Sequence, residues 1–192
     1  MLTSGSAAAI PNSHLDKLPM PGTQRSRNLQ DLDGLARATF EALGAYGIAG
    51  IWACITLDHL QQLSFRDVPD HSASLKKIES LASQWQGASN PDHHCALEIF
   101  HTFKEYPRDQ LPHQCYLELA AAAIVHALQT EGLAGIKAVL ALDRLGRLRL
   151  TAEHEFETRA LYSAVGAFWN IHPQASALDA LSTTNTIHPS TT

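Results

Sequence analysis

Apolar residues recur at helical spacing from residue 32 onward, with Leu32, Leu35, Ala36, Phe40 and Leu43 on one face. After Gly47 the period changes. Ile51, Ala53, Ile55 and Leu57 alternate with Trp52, Cys54 and Thr56, a spacing of two that predicts a half-buried strand. Asp58 leads a turn, and Leu63 and Phe65 predict an inward-facing return strand. A second helical stripe follows, formed by Leu75, Ile78, Leu81, Ala82 and Trp85.

The same succession occurs again 85 residues later. Residues 35–66 align without a gap on residues 120–151. Ala36, Ala38, Ala42, Leu43, Gly47, Ala49, Gly50, Ile51, Ala53, Leu57, Asp58, Leu60 and Leu63 each meet an identical residue. Gly-Ile-Ala-Gly-Ile faces Gly-Leu-Ala-Gly-Ile, and Leu-Asp-x-Leu-x-x-Leu follows in register. The second copy has its own helical stripe (Leu117, Ala121, Ile124, Val125, Leu128) and its own alternation (Ile136, Ala138, Leu140, Leu142). Asp143 then leads the turn into Leu148 and Leu150. Its closing helix carries Leu161, Ala164, Val165, Phe168 and Trp169, where the offset of 85 is lost and the connecting loops differ in length. Gly47 and Gly132 stand where a helix end wants a residue tolerant of positive φ.

Between the copies, Asn90 and Pro91 suit the start of a linker helix over 90–106, with Leu97, Phe100 and Lys104 on one stripe. The expectation is an α+β fold: an internally duplicated helix–β-hairpin–helix unit, with four antiparallel strands in one sheet or two hairpins and helices on one face. One domain spans 28–174, with repeat 1 over about 31–86 and repeat 2 over about 115–170. The Ser-, Ala- and Pro-rich stretch 1–27 and the small, polar stretch 175–192 read as disordered tails, because neither buries enough apolar surface to offset its ordering entropy.

Composition narrows the function classes. A hydrophobic content of 45% supports a sizeable core, and the net charge of −5 disfavours nucleic acid or an anionic membrane as main partner. No uninterrupted apolar run reaches the roughly 18 residues of a membrane span, and the N-terminus lacks the charged start of a signal peptide. Cys54, Cys95 and Cys115 are odd in number and lack Cys-x-x-Cys spacing, as expected of reduced thiols in the cytoplasm.

Catalytic chemistry is thinly represented. Asp92-His93-His94-Cys95 spells the palmitoyl-transferase signature, but without the membrane helices and Cys-rich zinc domain that family needs. His94, Glu98 and His101 share one side of the linker helix and form a weak metal-ligand candidate, with His113 and Cys115 just beyond. No partner Glu-x-x-His exists, so no metal or cofactor is expected. Cys54 corresponds to Val139 in the second copy, which points to packing rather than nucleophilic catalysis. On the outward strand faces, Trp52 beside Arg66, Lys137, Arg147 and Arg149 suggests an apolar anchor with a basic rim, a candidate partner-binding surface. A Trp on a polar strand face needs a cover.

The order α-ββ-α-α-ββ-α, and most closely IKAVLALDRLGRLRL with FETRALYSAVGAFW over residues 135–169, resembles the class I type III secretion chaperones, the Tir-chaperone-like family. The resemblance implies a non-catalytic, cytosolic, homodimeric chaperone or adaptor. Such a protein holds the N-terminal segment of a secreted effector, partly by strand addition. Two other readings are a secreted effector, with residues 1–27 as export signal, and a metal-dependent enzyme built on the His/Glu helix face.

Overall fold

The computed structural model describes residues 29, 31–65, 71–86, 111–112, 114–150 and 154–184. Its elements are α1 (Leu32–Tyr46), α2 (Ile48–His59), α3 (Ser72–Gln86), α4 (Gln114–Arg144), α5 (Glu155–Ile171) and α6 (Ala177–Thr184). No strand occurs among the described residues, so the expected α+β fold with its four-stranded sheet is replaced by a helical one. The linker helix expected over 90–106 lies outside the described residues.

The cause of the difference is burial. In α2, Ala49, Gly50, Ile51, Ala53, Cys54, Ile55, Thr56 and Leu57 are all buried. A helix enclosed on nearly every side has no polar face, so its sequence carries no 3.6-residue period, and a chance alternation of larger and smaller residues imitates a strand. Ile136, Ala138, Val139, Leu140, Ala141 and Leu142 are equally enclosed in the second half of α4.

The duplication is present as three-dimensional structure. Gly47 (φ 62°, ψ −142°) breaks α1 from α2, and Gly132 (φ 61°, ψ −143°) bends α4 at the equivalent point. Side chains with a Cβ rarely enter that region of backbone space. The two arms of α4 therefore correspond to α1 and α2. Three residues beyond each bend, helix crosses helix at close range. A Cβ on Gly50 would lie 2.2 Å from the Ala42 carbonyl oxygen, and one on Gly135 2.1 Å from that of Ala127. The repeated Gly-x-Ala-Gly is thus a bend followed by a backbone contact.

After each helix pair the chain turns into a short non-helical segment. Leu63 and Phe65 bury in the first copy and Leu148 in the second, whereas Leu150, also expected inward, is half-buried, and no ladder forms among the described residues. A hydroxyl from the following helix fixes each segment. Ser74 Oγ bonds both the N–H and the carbonyl of Ser64, and Thr158 Oγ1 donates to the Arg149 carbonyl. Ser74 and Thr158 are 84 apart, one less than the earlier offset. In the same way Ile78, Leu81, Ala82 and Trp85 of α3 match Tyr162, Val165, Gly166 and Trp169 of α5. The duplication extends through the closing helices with a loop one residue shorter.

The copies join where α1 and α2 pack on α4, burying Leu35, Ile51, Ile55, Ile124, Ile136 and Leu140 in one continuous core. Each such side chain contributes roughly 1.5–3 kcal/mol of transfer free energy. Within the segment expected to be a C-terminal tail, residues 177–184 form α6. Its start is fixed by reciprocal bonds between Ser176 and Asp179, and Ala177, Ala180 and Leu181 are buried.

Candidate functional site

Two features stand out at the surface of this bundle. The first lies at the junction of the copies. Asp58 and His59 end α2, and Asp143 and Arg144, their equivalents, end α4. The pairs engage reciprocally. Arg144 grips Asp58 through Nε at 2.8 Å and Nη2 at 2.5 Å, while His59 Nε2 lies 2.8 Å from Asp143 Oδ2. Tyr116 donates to the other oxygen of Asp143. The carboxylates are almost fully enclosed, with side-chain exposures of 7% for Asp58 and 4% for Asp143.

Burial pulls the His59 pKa down, but the Asp143 bond and the charges of Asp143 and Asp58 outweigh it, and the net shift is upward. Burial, with the Asp143 carboxylate beside it, pushes the Tyr116 hydroxyl far up. Beside these groups opens a cavity of about 420 Å³ lined by Asp31, Asp58, His59, Gln61, Leu63, Ser64, Asp143 and Arg144.

The second feature is an apolar groove of about 460 Å³ between the first arm of α4 and the start of α5. Leu119, Ala122, Ala123, Leu150 and Tyr162 form its walls. His126 and Tyr162 bond to each other at 3.1 Å, and Arg159 pairs with Glu155 on the rim. The first copy presents a different surface here. Phe65 lies directly over Gly34, where a Cβ would come within 2.3 Å of the Phe65 Cβ. Exposed Arg37 and Glu41 stand where the second copy has Ala122 and His126.

The residues expected to form one binding face are dispersed. Trp52 lies inside α2 with its ring edge-on to Trp85, centroids 6.1 Å apart and planes at 88°. The cover that Trp52 demanded is a neighbouring helix. Lys137, its equivalent, sits 4.5 Å over the ring of Trp169, the equivalent of Trp85, and pairs with Asp33 at 2.7 Å. Arg147 is half-buried in the turn and Arg149 is exposed. Arg66, His94, Glu98, His101 and His113 lie outside the described residues. No cluster of three or more metal-ligating side chains occurs among the described residues.

Cys54 is enclosed, and desolvation pushes its thiol up to about 12 against a smaller lowering by Thr39. A thiol held protonated is not a nucleophile. Cys115 is exposed on the groove rim. By length and composition, Cys115–Arg144 is the one described helix that would suit a membrane span, though it is bent at Gly132 and packed on its neighbours.

The groove and the cavity were not foreseen. The signal available was the divergence between aligned positions: Ala122 against Arg37, and Gly146 against Gln61. No protein-family model, curated protein or solved structure matches the chain.

Proposed function

We propose that the chain is a non-catalytic binding protein whose second repeat receives an apolar segment of a protein partner. One observation carries this reading. The groove formed by Leu119, Ala122, Ala123 and Leu150 is open and apolar, whereas the equivalent face of the first repeat is filled by Phe65 and carries Arg37 and Glu41. Two copies of one unit obey the same packing rules, so an apolar opening kept by only one of them points to a use outside the fold. Leu119 is 38% exposed, and Phe156, next in sequence to the rim residue Glu155, is 83% exposed.

The N-terminal segment of a secreted effector, held by a cytosolic chaperone or adaptor, is a partner of this kind. Strand addition is not the route, since the hairpins it required are helices and turns; side-chain insertion into the groove takes its place. Ala122→Arg restores the charged residue of the first copy at an exposed position. Co-purification from the native host, read by mass spectrometry, is expected to yield a stoichiometric partner with the wild type and none with Ala122→Arg, at unchanged melting temperature. A partner retained equally by both proteins overturns the groove as its site. Light scattering tests the homodimer that the resemblance implied.

A further inference from the structure

The wall of the groove carries a polar pattern that apolar capture alone does not require. His126, Arg159 and Tyr162 stand where the first copy has Glu41, Leu75 and Ile78. One carboxylate and two aliphatic side chains are thus exchanged for three residues that donate hydrogen bonds. The floor differs in the opposite sense, with Ala122 in place of Arg37. An apolar floor beside a donor-rich wall suits an occupant with an apolar body and an acceptor at one side.

The order of bonding follows from what each group is able to give. Burial raises the Tyr162 pKa against the opposing charge of Arg159 beside it, so the hydroxyl keeps its proton. Arg159 has no lone pair and can only donate to the Tyr162 oxygen. The Tyr162 proton therefore goes to His126 Nδ1, 3.1 Å away. A neutral His126 that accepts at Nδ1 holds its own proton on Nε2. Nε2 bonds to none of the described residues, and the half-buried ring lines the groove. Donation thus runs one way, from Arg159 through Tyr162 to His126, and ends in an N–H at the groove wall. A chain of this kind polarises each successive bond and strengthens the last donor.

Charge sharpens what that donor meets. The titratable groups lining the groove are Cys115, His126, Glu155, Arg159 and Tyr162. The one carboxylate among them, Glu155, is held by Arg159 Nη2 at 2.5 Å. A carboxylate entering the groove meets the donors of Arg159, Tyr162 and His126 along one wall, whereas an ammonium or guanidinium group meets donors with its own donors.

We propose that the segment received by the groove carries an Asp or Glu beside its apolar anchor, and that His126 Nε2–H donates to that carboxylate. This rests on the reading of the groove as a partner site and adds the partner's charge to it. Tyr162 and Arg159 act through His126 as positioning residues.

A random peptide library displayed on phage and selected against the full chain tests the two readings separately. Wild type is expected to enrich apolar peptides with acidic residues among them, and Ala122→Arg to enrich none. His126→Glu copies the first repeat at a half-buried position, so it is expected to fold and to select basic residues instead. Replacing the carboxylate of the best peptide by its amide is expected to weaken binding to wild type at least about tenfold, as for a hydrogen bond to a charged group. In Tyr162→Phe, which keeps the ring but not the relay, that ratio is expected to fall severalfold, and this variant serves where His126→Glu does not fold. Apolar peptides without acidic enrichment, an unchanged preference in folded His126→Glu, or an unchanged ratio in Tyr162→Phe overturns the proposal and leaves the groove standing. Enrichment of no peptide by wild type, or of the same peptides by Ala122→Arg, removes the groove and the carboxylate together. In the first of those cases, a dimer by light scattering that Ala122→Arg dissociates assigns the groove to a second copy of the chain.

Discussion

The two halves of this molecule run the same backbone through the same bend, crossing and turn, yet they solve their surfaces differently. The first copy packs Trp52 edge-on against Trp85; the second stretches Lys137 over Trp169 and out to Asp33. The first closes its outer face with Phe65 over Gly34; the second leaves a groove. At the junction, one copy contributes a permanently charged arginine and the other a titratable histidine, each to the other's aspartate. Positions where backbone meets backbone stayed alike because only one residue fits them. Positions where a side chain meets another side chain diverged, because several pairs bury the same area.

The largest expected effect breaks what the copies share. Gly50→Ala and Gly135→Ala each force a Cβ into a backbone carbonyl that cannot swing aside, and each is expected to cost about 3 kcal/mol or more in denaturant unfolding. Gly44→Ala is the control. No atom lies within 4 Å of its added Cβ, and a helix-interior glycine replaced by alanine is expected to gain up to about 1 kcal/mol. Equal effects at Gly44 and Gly135 would remove the crossing as the reason for the repeated glycine.

Next comes the junction, where the copies differ in kind. Asp58→Asn leaves the Arg144 guanidinium buried without its anion, and removing one partner of a buried pair costs about 3–5 kcal/mol. Asp143→Asn is expected to cost less, since His59 discards its proton and becomes neutral. The same difference has a pH signature. The folded-state pKa of His59 lies above its unfolded value near 6.5. Its contribution is therefore fully present below the unfolded pKa and lost as pH rises through the raised folded pKa. Unfolding free energies of wild type and His59→Gln measured from pH 5 to 9 should converge toward the alkaline end. A constant gap across that range would mean that the His59 charge plays no part.

The smallest expected effect concerns the Trp52 and Lys137 positions. Lys137→Met keeps the stem over Trp169 but loses the cation–π contact and an ion pair to Asp33, which is 73% exposed, for a cost of about 1 kcal/mol. Trp52→Met removes an aromatic edge contact of similar worth together with more buried area, so its cost is expected to be larger. A reversed order would mean that the lysine arrangement is the stronger of the two.

The amino-acid sequence by itself determined the duplication, the positive φ of Gly47 and Gly132, the amphipathic helices α1, α3 and α5, and the inward turn of Leu63, Phe65 and Leu148. Each of these leaves a local or repeated mark. Tertiary structure decided that the apolar runs after each bend are helices. Burial on nearly every side erases the polar face that would have announced them. It also decided which residues meet across the junction. Asp58 and Arg144, like His59 and Asp143, are brought together by one copy packing on the other. Nothing in the spacing of a repeat says that equivalent ends face one another. For the same reason the expectation of one surface along paired strands fails: Trp52 and Lys137 belong to helices, where each meets a Trp of the neighbouring helix, while Arg147 and Arg149 lie in the non-helical segment after α4. The divergence between copies was legible from the start. The cavity and the groove it produced became visible only once the copies were placed side by side.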